Sequence, residues 1–338
     1  MEDFNALLEE SNKVFLDNFK PEVWFGRCIF ISWYCDVGTC KFCFRAAQKD
    51  RVKHAEHARR SIASILAEAL LAKKLGWRVE FLTGGYNIYP LHELVGISRL
   101  VSEVYGDKVW LNLGALKREE LDAFKPYIKG VVGSIEAVNP ELHDAVCPDK
   151  PIKPYEEMFS YADDLKKSMT VVIGLGERKE DFGLLANFIE KHKLDRITFY
   201  ALKPVKGSPY THGPNSKDYA WWIANTRISF PKLQIIAGTT YKRVMCEDGC
   251  DTKDDVQLIL RAGANAVTKF PATKKFNSEA AKKIESEIKK AGRSFSSTLT
   301  KMPDVDWDAE VDSLSIDDAI KEKLKPMLKD YLKNMGKV

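Results

Sequence analysis

Short apolar runs alternate along the chain with longer segments in which apolar residues recur at helical spacing. The helical spacing is clear in one segment that ends near Gly76, with apolar positions at Ile62, Ile65, Leu66, Ala69 and Leu70. Eight runs predict strands, in chain order 27–33, 78–82, 108–113, 131–135, 169–173, 195–200, 233–236 and 264–269. Strands that alternate with helices form parallel sheets, so eight units predict an α/β fold, a closed (β/α)8 TIM-type barrel.

Helical segments flank the predicted barrel. Residues 1–26 predict an N-terminal helical extension, residues 27–302 the barrel, and residues 303–338 a C-terminal helical tail. The apolar positions of the tail recur at helical spacing, at Ile316, Ala319, Ile320, Leu324 and Leu328. We expect Pro326 to break or kink this last helix, because proline cannot donate the backbone hydrogen bond.

Composition narrows the class of protein. The 338 residues are 45% hydrophobic, which is enough for a large core, and no run of about 18 apolar residues predicts a membrane span. A net charge of +4 does not predict nucleic-acid binding. The N-terminus lacks a signal-peptide pattern, so we expect a cytoplasmic protein. Seven cysteines in such a protein favour metal ligation or free thiols over disulfides.

Three of these cysteines, Cys35, Cys40 and Cys43, lie together in the run CDVGTCKFC, directly after the first predicted strand. Three close thiolates suggest an iron–sulfur cluster with one open iron. Simple burial of three thiols in one loop is a weaker interpretation, and structural zinc usually takes four ligands. The spacing also fits a plant-type ferredoxin, but the next cysteine, Cys147, is more than a hundred residues away.

The triplet resembles the motif of the radical S-adenosylmethionine (SAM) superfamily, C-x3-C-x2-C, with one additional residue in the first spacer. Thr83 to Tyr86 resembles the glycine-rich strand end of that family, with Tyr86 in the place of an acid. Segments 110–116, 171–181 and 201–210 are similar to segments of biotin synthase and its relatives. The resemblance implies a set of cofactor-binding residues, namely Phe42, Gly84, Gly85, Asn112, Ser134, Glu136, Gly174 and Leu202.

What the resemblance implies chemically is a [4Fe–4S] cluster held by the triplet, with SAM bound at its open iron. A one-electron donor of the ferredoxin or flavodoxin type would reduce the cluster. Cleavage of SAM would then give a 5′-deoxyadenosyl radical that abstracts hydrogen from an unactivated carbon. The barrel would position the reactants and exclude water.

The cysteines outside the triplet suggest a second centre. Cys147, Cys246 and Cys250 are expected on the same rim of the barrel, where they could hold an auxiliary cluster; three unrelated thiols are the alternative. His143 is a weaker candidate ligand, and Cys28 lies within the first strand, where a core position is expected.

Among biotin synthase-like proteins, the chain most resembles archaeal two-component lipoyl synthases. This implies a sulfurtransferase that inserts sulfur into an octanoyl chain on a carrier protein or peptide, with a second synthase subunit as partner. One alternative is a radical SAM maturase or rearrangement enzyme without sulfur insertion. A second alternative is an iron–sulfur protein without substrate chemistry. No catalytic residue is predicted beyond the cluster ligands, and neither nucleic acid nor membrane is an expected partner.

Overall fold

A closed barrel of eight parallel strands forms the centre of the protein. The computed structural model describes residues 3–247 and 251–336. The strands are β1 (Glu22–Phe30), β2 (Arg78–Thr83), β3 (Val109–Asn112), β4 (Ile128–Glu136), β5 (Lys166–Ile173), β6 (Arg196–Ala201), β7 (Gln234–Gly238) and β8 (Ala266–Thr268). They follow one another around the barrel, and pairing of β1 with both β8 and β2 closes it. All eight predicted strands, and the TIM-type fold, are confirmed.

Helices follow the strands and surround the barrel. They are α1 (Phe4–Asn18), α2 (Ile62–Lys74), α3 (Leu91–Tyr105), α4 (Arg118–Phe124), α5 (Pro140–Val146), α6 (Lys153–Ser160), α7 (Phe182–His192), α8 (Ser216–Ser229), α9 (Tyr241–Val244), α10 (Asp255–Arg261), α11 (Glu279–Lys290), α12 (Trp307–Asp312) and α13 (Asp318–Met335). In the described part of the chain, none of them has the length and hydropathy needed to cross a bilayer.

The first strand is longer at its start than the sequence pattern predicts. It begins at Glu22 rather than at residue 27, because Glu22 and Val23 pair with a short ninth strand, β9 (Ser294–Phe295). The pairing is non-local, so the apolar pattern around β1 does not reveal it. It places the chain after α11 against the amino-terminal end of the barrel.

The C-terminal helix corrects one expectation. Helix α13 continues from Asp318 to Met335 with Pro326 inside it, so the expected break at this proline is wrong. Leu324 and Leu328, on either side of the proline, are buried. The hydroxyl of Tyr331, on the same helix, donates a hydrogen bond of 3.1 Å to Glu68 of α2. Tertiary packing of this kind can stabilise a helix that lacks one backbone hydrogen bond.

Candidate active site

The cysteine loop begins at the carboxyl end of β1 and packs directly against the glycine pair after β2. A Cβ atom added to Gly85 would lie 2.1 Å from the carbonyl oxygen of Tyr34 and 2.4 Å from Cβ of Cys35. The backbone N–H of Asp36 donates to the carbonyl of Tyr86 at 3.2 Å. Only glycine at residue 85 allows this approach of two backbones.

This contact gives Gly85 a role in holding the first cysteine. Gly84 fills a different space, because its added Cβ would lie 2.1 Å from Cδ1 of Ile88. Packing against the cysteine loop is a function of Gly85 that sequence reasoning missed. Their binding of the cofactor stays a prediction.

The second half of the loop carries Cys40 and Cys43. The backbone N–H of Cys43 donates to the carbonyl of Cys40 at 3.0 Å, and Lys41 N–H donates to the carbonyl of Val146 at 2.9 Å. Burial raises the pKa of the Cys43 thiol, and the positive charge of Arg45 opposes that shift. The guanidinium of Arg45 also lies over an aromatic ring, 4.9 Å from the centroid of Phe44.

The loop has the donor groups that an iron–sulfur cluster requires. Among the described residues, no group of three His, Cys, Asp or Glu side chains is placed to hold a single metal ion. Thiolates of a cluster bind separate irons, so they need not converge on one point. Thr39 Oγ1 and Arg45 Nε are buried in this loop without a hydrogen-bond partner. Because buried donors normally have acceptors, three thiols and two unsatisfied donors fit a bound, sulfide-rich anionic cluster.

Cys147 lies beside the triplet. It caps the end of α5, is 1% exposed, and forms a thiol–thiol hydrogen bond with Cys40. This hydrogen bond lowers the pKa of Cys40 and, together with burial, raises the pKa of Cys147. The ring of His143 holds the same turn, since its nitrogens lie 2.9 Å from the carbonyl oxygen of Ile135 and 2.7 Å from that of Lys150. Both nitrogens of His143 are therefore engaged with backbone and not free to ligate a metal.

Cys246 has different neighbours. It follows α9 with φ of 59°, is exposed, and lies 4.0 Å from Nζ of Lys283. Cys250 lies outside the described residues. The contacts of Cys147 and Cys246 are thus with different elements, and the auxiliary cluster of Cys147, Cys246 and Cys250 stays a prediction.

Polar side chains at the ends of β3 and β4 meet on the rim. Ser134 Oγ donates to Asn112 Oδ1 at 2.9 Å. Glu136, the last residue of β4, has a positive φ of 67° and forms a 3.0 Å ion pair with Lys150. Burial by itself lowers the pKa of Lys150, but the carboxylate of Glu136 outweighs burial and raises it. Sequence reasoning missed Lys150, because nothing near residue 150 indicates its partner.

The segment after β5 folds around its own carboxylate. Glu177 accepts the backbone N–H groups of Gly174 at 2.6 Å and Leu175 at 2.9 Å. The φ of Gly174 is 107°, which favours glycine at that position. Leu202, after β6, and Phe42 belong to the apolar cluster that also contains Cys40 and Cys147. The structure therefore brings the predicted residues Phe42 and Leu202 together beside the cysteine loop.

Below the rim, the interior of the barrel holds a polar network that packs beside a buried apolar cluster. Glu80 of β2 is fully buried, and its carboxylate accepts hydrogen bonds from Tyr200 at 2.7 Å and from Cys28 at 2.9 Å. Thr198 and Thr268 also donate to it. Burial, followed by the charge of Glu80, raises the pKa of the Cys28 thiol well above its usual range. Cys28 was expected at a core position; its thiol is part of this polar network.

Lys269, directly after β8, is at the mouth of the barrel. Its φ is 69°, its Nζ donates to the carbonyl of Ala201 at 3.2 Å, and the amine lies 4.9 Å from the ring centroid of Tyr200. The side chain is exposed, yet protein surrounds it closely enough for desolvation to lower its pKa to about 8, with the charge of Lys203 adding to the effect. Sequence reasoning did not select Glu80, Tyr200 or Lys269.

Comparison with known proteins identifies a family and a relative of this chain. The family model described as the radical SAM superfamily matches residues 29–189. An uncharacterized protein of Methanocaldococcus jannaschii is 36% identical over 302 residues, which cover 87% of this chain and 81% of that protein.

Solved structures show the same fold at low identity. Methylornithine synthase matches with a TM-score of 0.64 and 19% identity, covering 79% of each chain. The FeFe-hydrogenase maturase HydG from Carboxydothermus hydrogenoformans matches with a TM-score of 0.67 and 16% identity, covering 98% of this chain and 83% of that one.

Proposed function

Because the chain belongs to the radical SAM superfamily, we propose that it abstracts a hydrogen atom from a small polar substrate held inside its barrel, without inserting sulfur. Cys35, Cys40 and Cys43 would hold the [4Fe–4S] cluster. When bound and reduced by a ferredoxin- or flavodoxin-type donor, the cluster and SAM would supply a 5′-deoxyadenosyl radical. Phe42 and Leu202, which belong to the same apolar cluster as Cys40, are the apolar residues that would line the cofactor.

The polar interior carries this proposal. Cys28 and Tyr200 are only partly buried, both bond to the buried carboxylate of Glu80, and the amine of Lys269 lies over Tyr200. An octanoyl chain in this space would desolvate the amine of Lys269 without supplying an acceptor for its remaining N–H donors, which costs free energy. A substrate with its own polar groups could supply that acceptor.

Sulfur insertion of the lipoyl type is the second candidate. It is favoured by the thiol of Cys147 beside Cys40 and by the exposed thiol of Cys246 after β7. This candidate needs an auxiliary cluster, an octanoylated carrier and a second synthase subunit. We rank it second because Cys147 packs in the apolar cluster beside Cys40, whereas Cys246 lies beside Lys283 on another element.

Iron content distinguishes the two candidates. After anaerobic reconstitution we expect about four irons per chain, corresponding to one cluster. Replacing Cys147, Cys246 and Cys250 together with alanine should leave that value and the yield of 5′-deoxyadenosine with dithionite nearly unchanged. About eight irons in the native protein, falling to about four in the variant, would establish the auxiliary cluster instead.

Deuterium transfer gives a second measurement of the same proposal. A lipoyl-domain protein carrying deuterated octanoyl-lysine should transfer no deuterium into 5′-deoxyadenosine. Transfer from that carrier would reject a small polar substrate in favour of the sulfur-inserting candidate.

A further inference from the structure

We propose that Lys269 binds a carboxylate group of the substrate at the mouth of the barrel. This inference rests on the proposed function, because it names the chemical class of the substrate that enters the polar interior. Three observations support it, namely the position of Lys269, the absence of an ion pair to it among the described residues, and the positive charge around it.

The position of Lys269 is at the seam where the barrel closes. Thr268, the last residue of β8, pairs with Gly26 of β1 and with Gly238 of β7. Lys269 therefore leaves the barrel next to the strand that carries the cysteine loop. Its left-handed backbone is rare for a residue with a side chain, and such conformations persist where the surrounding structure holds a functional group in place.

The amine of Lys269 has donors to spare. Within residues 3–247 and 251–336, its interactions are the hydrogen bond to the carbonyl of Ala201 and the contact with the ring of Tyr200, and it makes no ion pair. An ammonium group has three N–H donors. Two of them can therefore bind a ligand without breaking a contact of the protein.

The charges that face Lys269 are predominantly positive. Lys203 follows β6 and Arg243 lies on α9, and both lower the pKa of Lys269. Glu136 and Cys28 act in the opposite direction, but the carboxylate of Glu136 already pairs with Lys150 at 3.0 Å, and burial raises the pKa of the Cys28 thiol well above its usual range. An anionic ligand would relieve the repulsion between the two lysines and stabilise the charged form of Lys269.

A carboxylate fits this arrangement better than a phosphate. Phosphates are commonly bound by several backbone N–H groups at a helix N-terminus, or by several positive side chains at once. At Lys269 the donors belong to one ammonium group, and the adjacent ring and carbonyl add none, which matches the smaller charge of a carboxylate.

Competitive acetylation tests the proposal without SAM cleavage. Reconstituted protein is treated at pH 8 with a trace of acetic anhydride, and labelling of each lysine is read by peptide mass spectrometry. A neighbouring opposite charge shifts a pKa by about 1–3 units. For an amine of pKa about 8, a bound carboxylate should lower the neutral fraction from about one half to about one tenth, a roughly fivefold loss of labelling.

The probes are acetate, glutarate and inorganic phosphate, each compared with chloride at equal ionic strength. We expect at least one carboxylate to protect Lys269 while the labelling of Lys274, a lysine on the following loop, stays constant. Protection by phosphate alone would overturn the carboxylate assignment, and so would equal labelling in all four anions. Hydrogen abstraction is not measured in this assay, so its failure and that of the proposed function are separable.

Substitution provides a second measurement. The variant Lys269→Arg should retain carboxylate-dependent stabilisation against thermal unfolding, and Lys269→Met should lose it while keeping the cluster. Stabilisation by the same carboxylate that is equal in native and Lys269→Met protein would place the anion elsewhere and reject the proposal.

Discussion

Replacement of Gly85 by alanine should release the cysteine loop from the barrel. The added Cβ would lie 2.1 Å from the carbonyl oxygen of Tyr34 and 2.5 Å from Cα of Cys35. Both are backbone atoms, so the loop has to move by roughly 1 Å to reach ordinary contact distances. Overpacking of this kind typically costs about 1–3 kcal/mol. Displacement of a surface loop costs less than unfolding of the barrel, so the strain should move Cys35.

The assay is iron per chain and 5′-deoxyadenosine formed with dithionite, together with the thermal midpoint. Gly85→Ala should lose most of its iron and its SAM cleavage while its barrel unfolds within a few degrees of the native protein. Gly96→Ala is the matched control, since an added Cβ in the middle of α3 meets no atom within 4 Å. That control should keep its iron and gain about 0.5–1 kcal/mol of stability.

The two roles suggested for Gly85 give different results. If the glycine serves only to let the cofactor approach, Gly85→Ala keeps a full complement of iron and needs more SAM to reach half-maximal cleavage. Native iron content combined with native cleavage would refute the steric argument altogether.

Two further predictions concern the triplet and a buried ion pair. Replacing Cys35, Cys40 and Cys43 together with alanine should abolish iron binding and SAM cleavage, and any 5′-deoxyadenosine from that variant would contradict the cluster assignment. Glu68→Ala should cost about 3–5 kcal/mol in urea unfolding, because it leaves two mostly buried arginines, Arg27 and Arg60, without their carboxylate. Burial alone would raise the pKa of Glu68, but Arg27 and Arg60 outweigh burial and lower it. The ion pair therefore stabilises the fold fully above the usual carboxyl pKa, and this stabilisation is lost as pH falls through the lowered pKa. A cost below about 1 kcal/mol, or one that persists at low pH, would show that the pair is not stabilising.

The strands of the barrel were predictable because each is a local pattern. A run such as Met169 to Ile173 is buried on both faces, so its composition identifies it without knowledge of its neighbours. The start of β1 was not predictable, because Glu22 pairs with Ser294 far along the chain. For the same reason, local sequence did not reveal that α13 continues through Pro326. This helix packs against α2, which is far away in the sequence.

The candidate site also combines residues with a local sequence signal and residues that depend on non-local contacts. The spacing of Cys35, Cys40 and Cys43 is a local signal. In contrast, Lys150 belongs to the site through its ion pair with Glu136, and Glu80 through its hydrogen bond with Tyr200, a residue on another strand. These partners meet only when the barrel closes, and a single sequence does not record which strands become neighbours.

The spacer between Cys35 and Cys40, which contains one residue more than the family motif, is anchored at both ends. Residue 36 is tied to the β2 end through Tyr86, and Lys41 is tied to the end of α5 through the carbonyl of Val146. Between these anchors Gly38 adopts φ of 53° and turns the chain. With both ends held by other elements, the four-residue spacer has to span a distance that the barrel fixes. The longer spacing is therefore compatible with a cluster site because the anchors, and not the spacer alone, position the cysteines.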